Sequence, residues 1–114
     1  MILYGIANCD TVRKARKFLD EKQISYVFHD FKKQGLTQEI IQNWLKYQPL
    51  EILVNKRSTS WKQLTEEQKQ QLITGQNLSV LSEMPTLIKR PVLENNGSLL
   101  VGFKEAEYQN LVPE

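Results

Sequence analysis

Cys9 is the only cysteine of the chain, and its sequence neighbours give it chemistry. Ile2–Ile6 (Ile-Leu-Tyr-Gly-Ile) predicts a short strand, Ala7–Asp10 a tight polar turn, and Thr11–Lys22 a basic amphipathic helix. A thiol at that junction faces the unbonded N–H groups of a helix start and the positive end of its macrodipole. Both favour thiolate over thiol. Arg13 and Arg16 follow four and seven residues later, on the helical face that can look back toward Cys9. A lone thiol in this setting is a candidate nucleophile. It has no intramolecular disulfide partner, so a redox cycle has to borrow a thiol from another molecule. The competing reading is a cysteine acting as a small buried hydrophobe. The turn position and the flanking bases weigh against it.

Other residues carry weaker signals. His29 ends the second apolar run, where it is either a structural imidazole or a partner for Cys9. Arg57, in the polar stretch Asn55-Lys-Arg-Ser-Thr-Ser60, and Arg90, before Pro91, read on their own as surface charges. Lys14 and Lys17 read as a solvated helix face, and Trp44 and Trp61 as packing anchors. One cysteine and one histidine give no metal-ligand spacing, so no metal is expected.

These residues need a frame to bring them together. The helix predicted over 11–22 turns Val12, Ala15, Phe18 and Leu19 inward, and Ile24–Asp30 alternates as a second strand. Strand, helix, strand within 30 residues is a βαβ unit with parallel strands. The middle is helical. Thr37 caps a helix running to about Tyr47, Pro49 opens a short helix through Val54, and Thr65 with Gln68 forms a capping box that opens another helix, closed by Gly75. Asn77–Met84 is one more short helix. After Pro85 the pattern returns to strands, 90–94 and 98–102, around Asn95-Asn96-Gly97, where Asn-Gly between apolar runs is a hairpin signal. A last helix spans Lys104–Val112.

The chain has 114 residues, so it reads as one domain over 1–114. Within it, 1–35 and 85–114 form the core and 36–84 an all-helical insert. The expected class is α/β (α+β), with a four-stranded mixed sheet. A net charge of +2 does not advertise a nucleic-acid binder. No apolar run reaches membrane-spanning length, and the start lacks the basic region of an export signal. With a single cysteine, a reducing cytoplasm is the expected home.

Three segments carry a resemblance. They are Tyr4-Gly-Ile-Ala-Asn-Cys-Asp-Thr-Val-Arg13, Leu53-Val-Asn-Lys-Arg-Ser-Thr-Ser-Trp61 and Leu87-Ile-Lys-Arg-Pro-Val-Leu93, joined by the tail Val101-Gly-Phe-Lys-Glu105. Together and in this order they resemble the arsenate reductase/Spx-like branch of the thioredoxin superfamily, over essentially the whole chain. Within it the chain looks most like a small subgroup of glutathione-dependent thiol reductases. The resemblance implies a thioredoxin-like fold and assigns Cys9 as the nucleophile. It also aligns Arg13 with a basic residue one helical turn on, Arg57 and Arg90 with two oxyanion-holding arginines, and Pro91 with a cis-proline facing the cysteine. Glutathione, with glutaredoxin as its helper, becomes the expected partner, glutathione being a co-substrate and not a bound cofactor. Two departures stand out. The third arginine of arsenate reductases is replaced by Gly102-Phe103-Lys104, which leaves Lys104 as the nearby cation. The Cys-x-x-Cys of Spx regulators is here Cys9-Asp-Thr-Val12, so the rival reading is a regulator that binds RNA polymerase without a redox switch.

Overall fold

A computed structural model describes residues 1–112. The first unit comprises 1–34 and the chain from Arg90 onward; the second comprises Gly35–Lys89.

The first unit holds the sheet. β1 (Ile2–Gly5) leads into α1 (Asp10–Glu21) and β2 (Val27–Asp30), then a single-turn α2 (Phe31–Gln34). The chain re-enters at β3 (Val92–Asn95), turns into β4 (Ser98–Val101) and ends in α8 (Glu105–Gln109). The sheet order is β2-β1-β3-β4. β1 pairs parallel with β2 and antiparallel with β3, and β3 pairs antiparallel with β4. The fold is the thioredoxin-like one, with its mixed four-stranded sheet and its first helix after β1.

Alternation along the strands decides what each face meets. Leu3 and Leu93 are opposite one another and pack on Ala15, Phe18 and Leu19 of α1 and Tyr108 of α8, all buried. Phe103 joins Phe18 and Tyr108, its ring 4.7 Å from that of Tyr108. The opposite face carries Tyr4, beside His29 in register, and Glu94, which accepts a hydrogen bond from the Tyr4 hydroxyl at 3.2 Å.

The hairpin forms as its sequence predicts. Asn96 and Gly97 both have positive φ, 37° and 87°, the geometry that favours Asn-Gly between twisted strands. β2 is shorter than the strand expected over 24–30, and the reason is the end of α1. Gln23 takes φ 58°, its N–H bonds Asp20 O at 3.1 Å, and the Ile24 N–H bonds Leu19 O at 2.9 Å. This Schellman-type cap consumes the residues before Val27. The sequence reading also missed α2, which is capped by the Asp30 carboxylate accepting from Lys32 N at 2.9 Å.

The second unit is helical: α3 (Gln38–Trp44), α4 (Leu50–Leu53), α5 (Thr59–Lys62), α6 (Glu66–Ile73) and α7 (Ser79–Glu83), then a 3-10 turn at Pro85–Leu87. Thr37 caps α3, accepting from Ile40 N. The capping box of Thr65 and Gln68 is present in both directions, at 3.1 and 2.9 Å. Gly75, at φ 79°, follows α6. Among the described residues no strand lies between 36 and 84. An isolated bridge joins Val54 to Ile88, bracketed by Asn55 N to Leu87 O and Lys89 N to Leu53 O. Those bonds tie 87–89 to the helical unit, so the chain returns to the sheet at Arg90 rather than Pro85. α5 replaces part of the loop expected over 55–60, because Ser58 acts as its N-cap and accepts from Trp61 N at 3.1 Å. Among the described residues no helix is long and apolar enough to cross a membrane.

Two phenols make stability sensitive to alkali. Burial, then the Glu94 carboxylate, pushes Tyr4 up to about 12. Burial raises Tyr108 further, and its hydroxyl has no hydrogen-bond partner among the described residues. Folded pKa values above the ordinary ~10 mean that the unfolded chain ionises first. Their stabilisation is complete below ~10 and is lost as pH rises through the folded values. Denaturant midpoints should therefore fall from pH 9 upward. Tyr108→Phe should blunt that fall and hold or raise stability at neutral pH, because it removes a buried hydroxyl that costs about 1–3 kcal/mol when unbonded. A neutral-pH loss beyond about 1 kcal/mol would show that the hydroxyl is bonded.

Candidate active site

The site begins with a turn. The Cys9 N–H bonds Ile6 O at 3.1 Å, which closes Ile6–Cys9 into a tight turn and delivers Cys9 as the N-cap of α1. Its φ and ψ of −90° and 127° are the extended values that an N-cap residue adopts. Asp, Ser and Thr at this position accept from the N–H groups of the second and third helical residues. Here those residues are Thr11 and Val12. As a neutral thiol Cys9 makes no capping hydrogen bond, since S–H is a weak partner. Ionised, its sulfur becomes the acceptor for Val12 N–H and, more weakly, Thr11 N–H.

Arg90 completes the arrangement. It precedes Pro91 across a cis peptide bond and leads into β3. To the ionised Cys9 sulfur its side chain supplies a hydrogen bond and a positive charge. Partial burial pushes the thiol up. The Val12 N–H, the Arg90 hydrogen bond and charge, and the Thr11 N–H outweigh it and bring Cys9 below its usual value. The helix start and one guanidinium thus favour the thiolate together. Arg90 also has capacity to spare. Its Nε and Nη1 are buried and lack a hydrogen-bond partner among the described residues.

The remaining candidates are placed differently. Pro91 is cis, as the resemblance implies, and its carbonyl accepts from Gly102 N at 2.8 Å. Arg13 is largely exposed; its guanidinium holds the Asp10 carboxylate at 2.7 Å and the Asn8 carbonyl at 3.1 Å. Arg16 does not look back at Cys9. It lies 4.1 Å over the Phe28 ring and donates from Nε to the Tyr26 hydroxyl at 3.4 Å. Lys17 is exposed opposite Glu21. Lys104 is the exposed residue that precedes α8. His29 packs in an aromatic group, 4.9 Å from Tyr4 and 6.1 Å from Phe31 between ring centres. Arg57 belongs to the helical unit, in a turn where the Asn55 side chain accepts from Arg57 N at 3.1 Å. The feature that sequence reasoning missed is the pair Gly5 and Val12, in close contact beneath the turn. Its signal was a glycine ending a strand four residues before the cysteine.

The ArsC family model matches residues 4–111. The chain belongs to the ArsC family. Among solved structures, the YFFB protein superimposes with a TM-score of 0.90 at 38% identity, covering 98% of both chains. An arsenate reductase (ArsC) related protein of Brucella melitensis is 41% identical with a TM-score of 0.75, covering 96% of this chain and 91% of its own. The global transcriptional regulator Spx 2 of Bacillus cereus is 25% identical across 99% of this chain and 87% of its length. The family therefore holds both reductase-like proteins and regulators.

Proposed function

We propose that this ArsC-family chain is a cytoplasmic, glutathione-dependent thiol reductase with Cys9 as its single nucleophile. The observation that carries the reading is Arg90, whose guanidinium favours the Cys9 thiolate while two of its buried nitrogens have no hydrogen-bond partner among the described residues. Buried charged donors are ordinarily bonded, and an exception beside a nucleophile marks where a ligand belongs. A guanidinium fork is matched to a carboxylate, and glutathione carries two.

The cycle follows from the single thiol. The Cys9 thiolate attacks one sulfur of a substrate disulfide, a Cys9–substrate disulfide forms, and the second substrate sulfur leaves as thiolate. A glutathione thiolate attacks the Cys9 sulfur next, releasing the substrate thiol and leaving Cys9 joined to glutathione. A second glutathione, or glutaredoxin, attacks the glutathione sulfur and restores the Cys9 thiolate. Each turn consumes two glutathione equivalents and leaves one oxidised dimer. Arg90 stabilises the thiolate and holds a carboxylate, and Pro91 enters the proposal through the sequence resemblance, as a neighbour of the peptide-like thiol. Arg13 enters the proposal through the sequence resemblance, as a further carboxylate contact.

Mass spectrometry after mild oxidation with glutathione tests this. One glutathione should be added at Cys9, and further glutathione with glutaredoxin should remove it. No adduct on a folded protein would overturn the reading. Relatedness to Spx 2 supports a second reading, a regulator that binds RNA polymerase without a disulfide switch. Co-purification with polymerase together with an inert Cys9 would favour it.

A further inference from the structure

We infer that Gly5 is a positioning residue for Cys9: its missing Cβ leaves a notch in which Val12 seats, and the seated Val12 aims its backbone N–H at the Cys9 sulfur. The inference rests on the reading of Cys9 as the nucleophile. Gly5 ends β1 and is buried, and it lies opposite Asp30 in the parallel pair. A Cβ built on it would sit 2.7 Å from Val12 Cγ2 and 3.2 Å from Val12 Cγ1. Neither methyl can give way easily. Val12 is β-branched, so its χ1 is stiff in a helix, and it is fully buried. The inner face of α1 is held further along by Ala15, Phe18 and Leu19 in the core. A methyl at position 5 therefore displaces the first turn of α1 and not the whole helix. That turn carries Thr11 and Val12, the second and third helical residues, whose N–H groups an N-cap side chain faces and which favour the ionised sulfur. The strand end and the nucleophile are thus linked through one side chain.

The charged groups around Cys9 are Arg90, which contacts it, and the Asp10–Arg13 pair on α1. None of them is altered by changes at Gly5 or Val12. The test is the ultraviolet titration of the thiolate in free protein, paired with thermal melts, for Gly5→Ala, Val12→Ala and the double variant. Gly5→Ala forces the turn outward, and Val12→Ala removes the wedge that seats it. Each should raise the Cys9 titration midpoint and lower its alkylation rate at neutral pH roughly threefold to tenfold, in proportion to thiolate lost. The double variant returns a methyl to the space left by Val12 and should move the midpoint back toward wild type. A purely structural contact would lower the melts and leave the titration alone. Unchanged titration in Val12→Ala and in a folded Gly5→Ala overturns the inference. If Gly5→Ala does not fold, Val12→Ala decides alone. Glutathione is absent from these titrations. A wild-type protein that forms no adduct therefore refutes the reductase reading separately.

Discussion

Arg90→Ala is expected to raise the Cys9 titration midpoint and to slow alkylation of the thiol at neutral pH by ten- to a hundredfold. Arg90 supplies both a side-chain hydrogen bond and a charge to the sulfur, whereas burial opposes ionisation. Removing Arg90 leaves the opposing effect in place. A hydrogen bond to a charged group contributes about 1.5–3 kcal/mol, and each ~1.4 kcal/mol is a factor of ten. The sign fixes the pH window. A thiol held below its ordinary value carries more thiolate at neutral pH than one without that help, so variant and wild type differ there and converge in alkali, where both are ionised. Arg90→Lys should recover part of the titration, because it keeps the charge, but not glutathione binding, because it loses the planar fork. An unchanged alkylation profile in Arg90→Ala would remove Arg90 from the site.

Arsenate turnover is expected to be poor or absent beside glutathione-linked disulfide reduction. The family resemblance implies an oxyanion clamp of three arginines, and this chain has Gly102-Phe103-Lys104 where the third would stand. The segment is engaged otherwise. Gly102 has φ 79° and donates its N–H to Pro91 O, a conformation an arginine adopts only with strain. Phe103 packs against Phe18 and Tyr108. Lys104 is exposed at the start of α8. Losing one charge-assisted contact to a transition-state oxyanion costs about 1.5–3 kcal/mol, or ten- to a hundredfold in rate. A coupled assay with glutathione and glutaredoxin measures both activities on one preparation. Arsenate reduction as fast as disulfide reduction would show that two arginines and Lys104 suffice.

Local signals in this chain were strong where a few adjacent residues decide the outcome. The Asn96-Gly97 hairpin, the Thr37 cap and the Thr65–Gln68 capping box all form as read, because each is settled by hydrogen bonds within four residues. The Asp30 and Ser58 caps are equally local, and they start α2 and α5, which hydrophobic period alone does not announce because each is a single turn. β2 starts later than alternation predicts because Gln23, not a glycine, takes the left-handed position that ends α1.

By itself the sequence determined the four strands in their order along the chain, the helix after the first of them and the lone thiol at its start, together with that thiol's lack of an internal disulfide partner. These follow from hydrophobic period, caps and composition, which act over a turn or a strand pair. Only the tertiary structure decided which arginine serves Cys9. Arg13 and Arg16 are close in sequence, yet Asp10 takes one and Phe28 with Tyr26 take the other. Arg90, far along the chain, is the one that reaches the sulfur, because antiparallel pairing of β3 with β1 returns it there. Long-range pairing carries no local signature, since it depends on which strand fills the place beside β1. The contact of Gly5 with Val12 is of the same kind, a distance that exists only once α1 lies on the sheet.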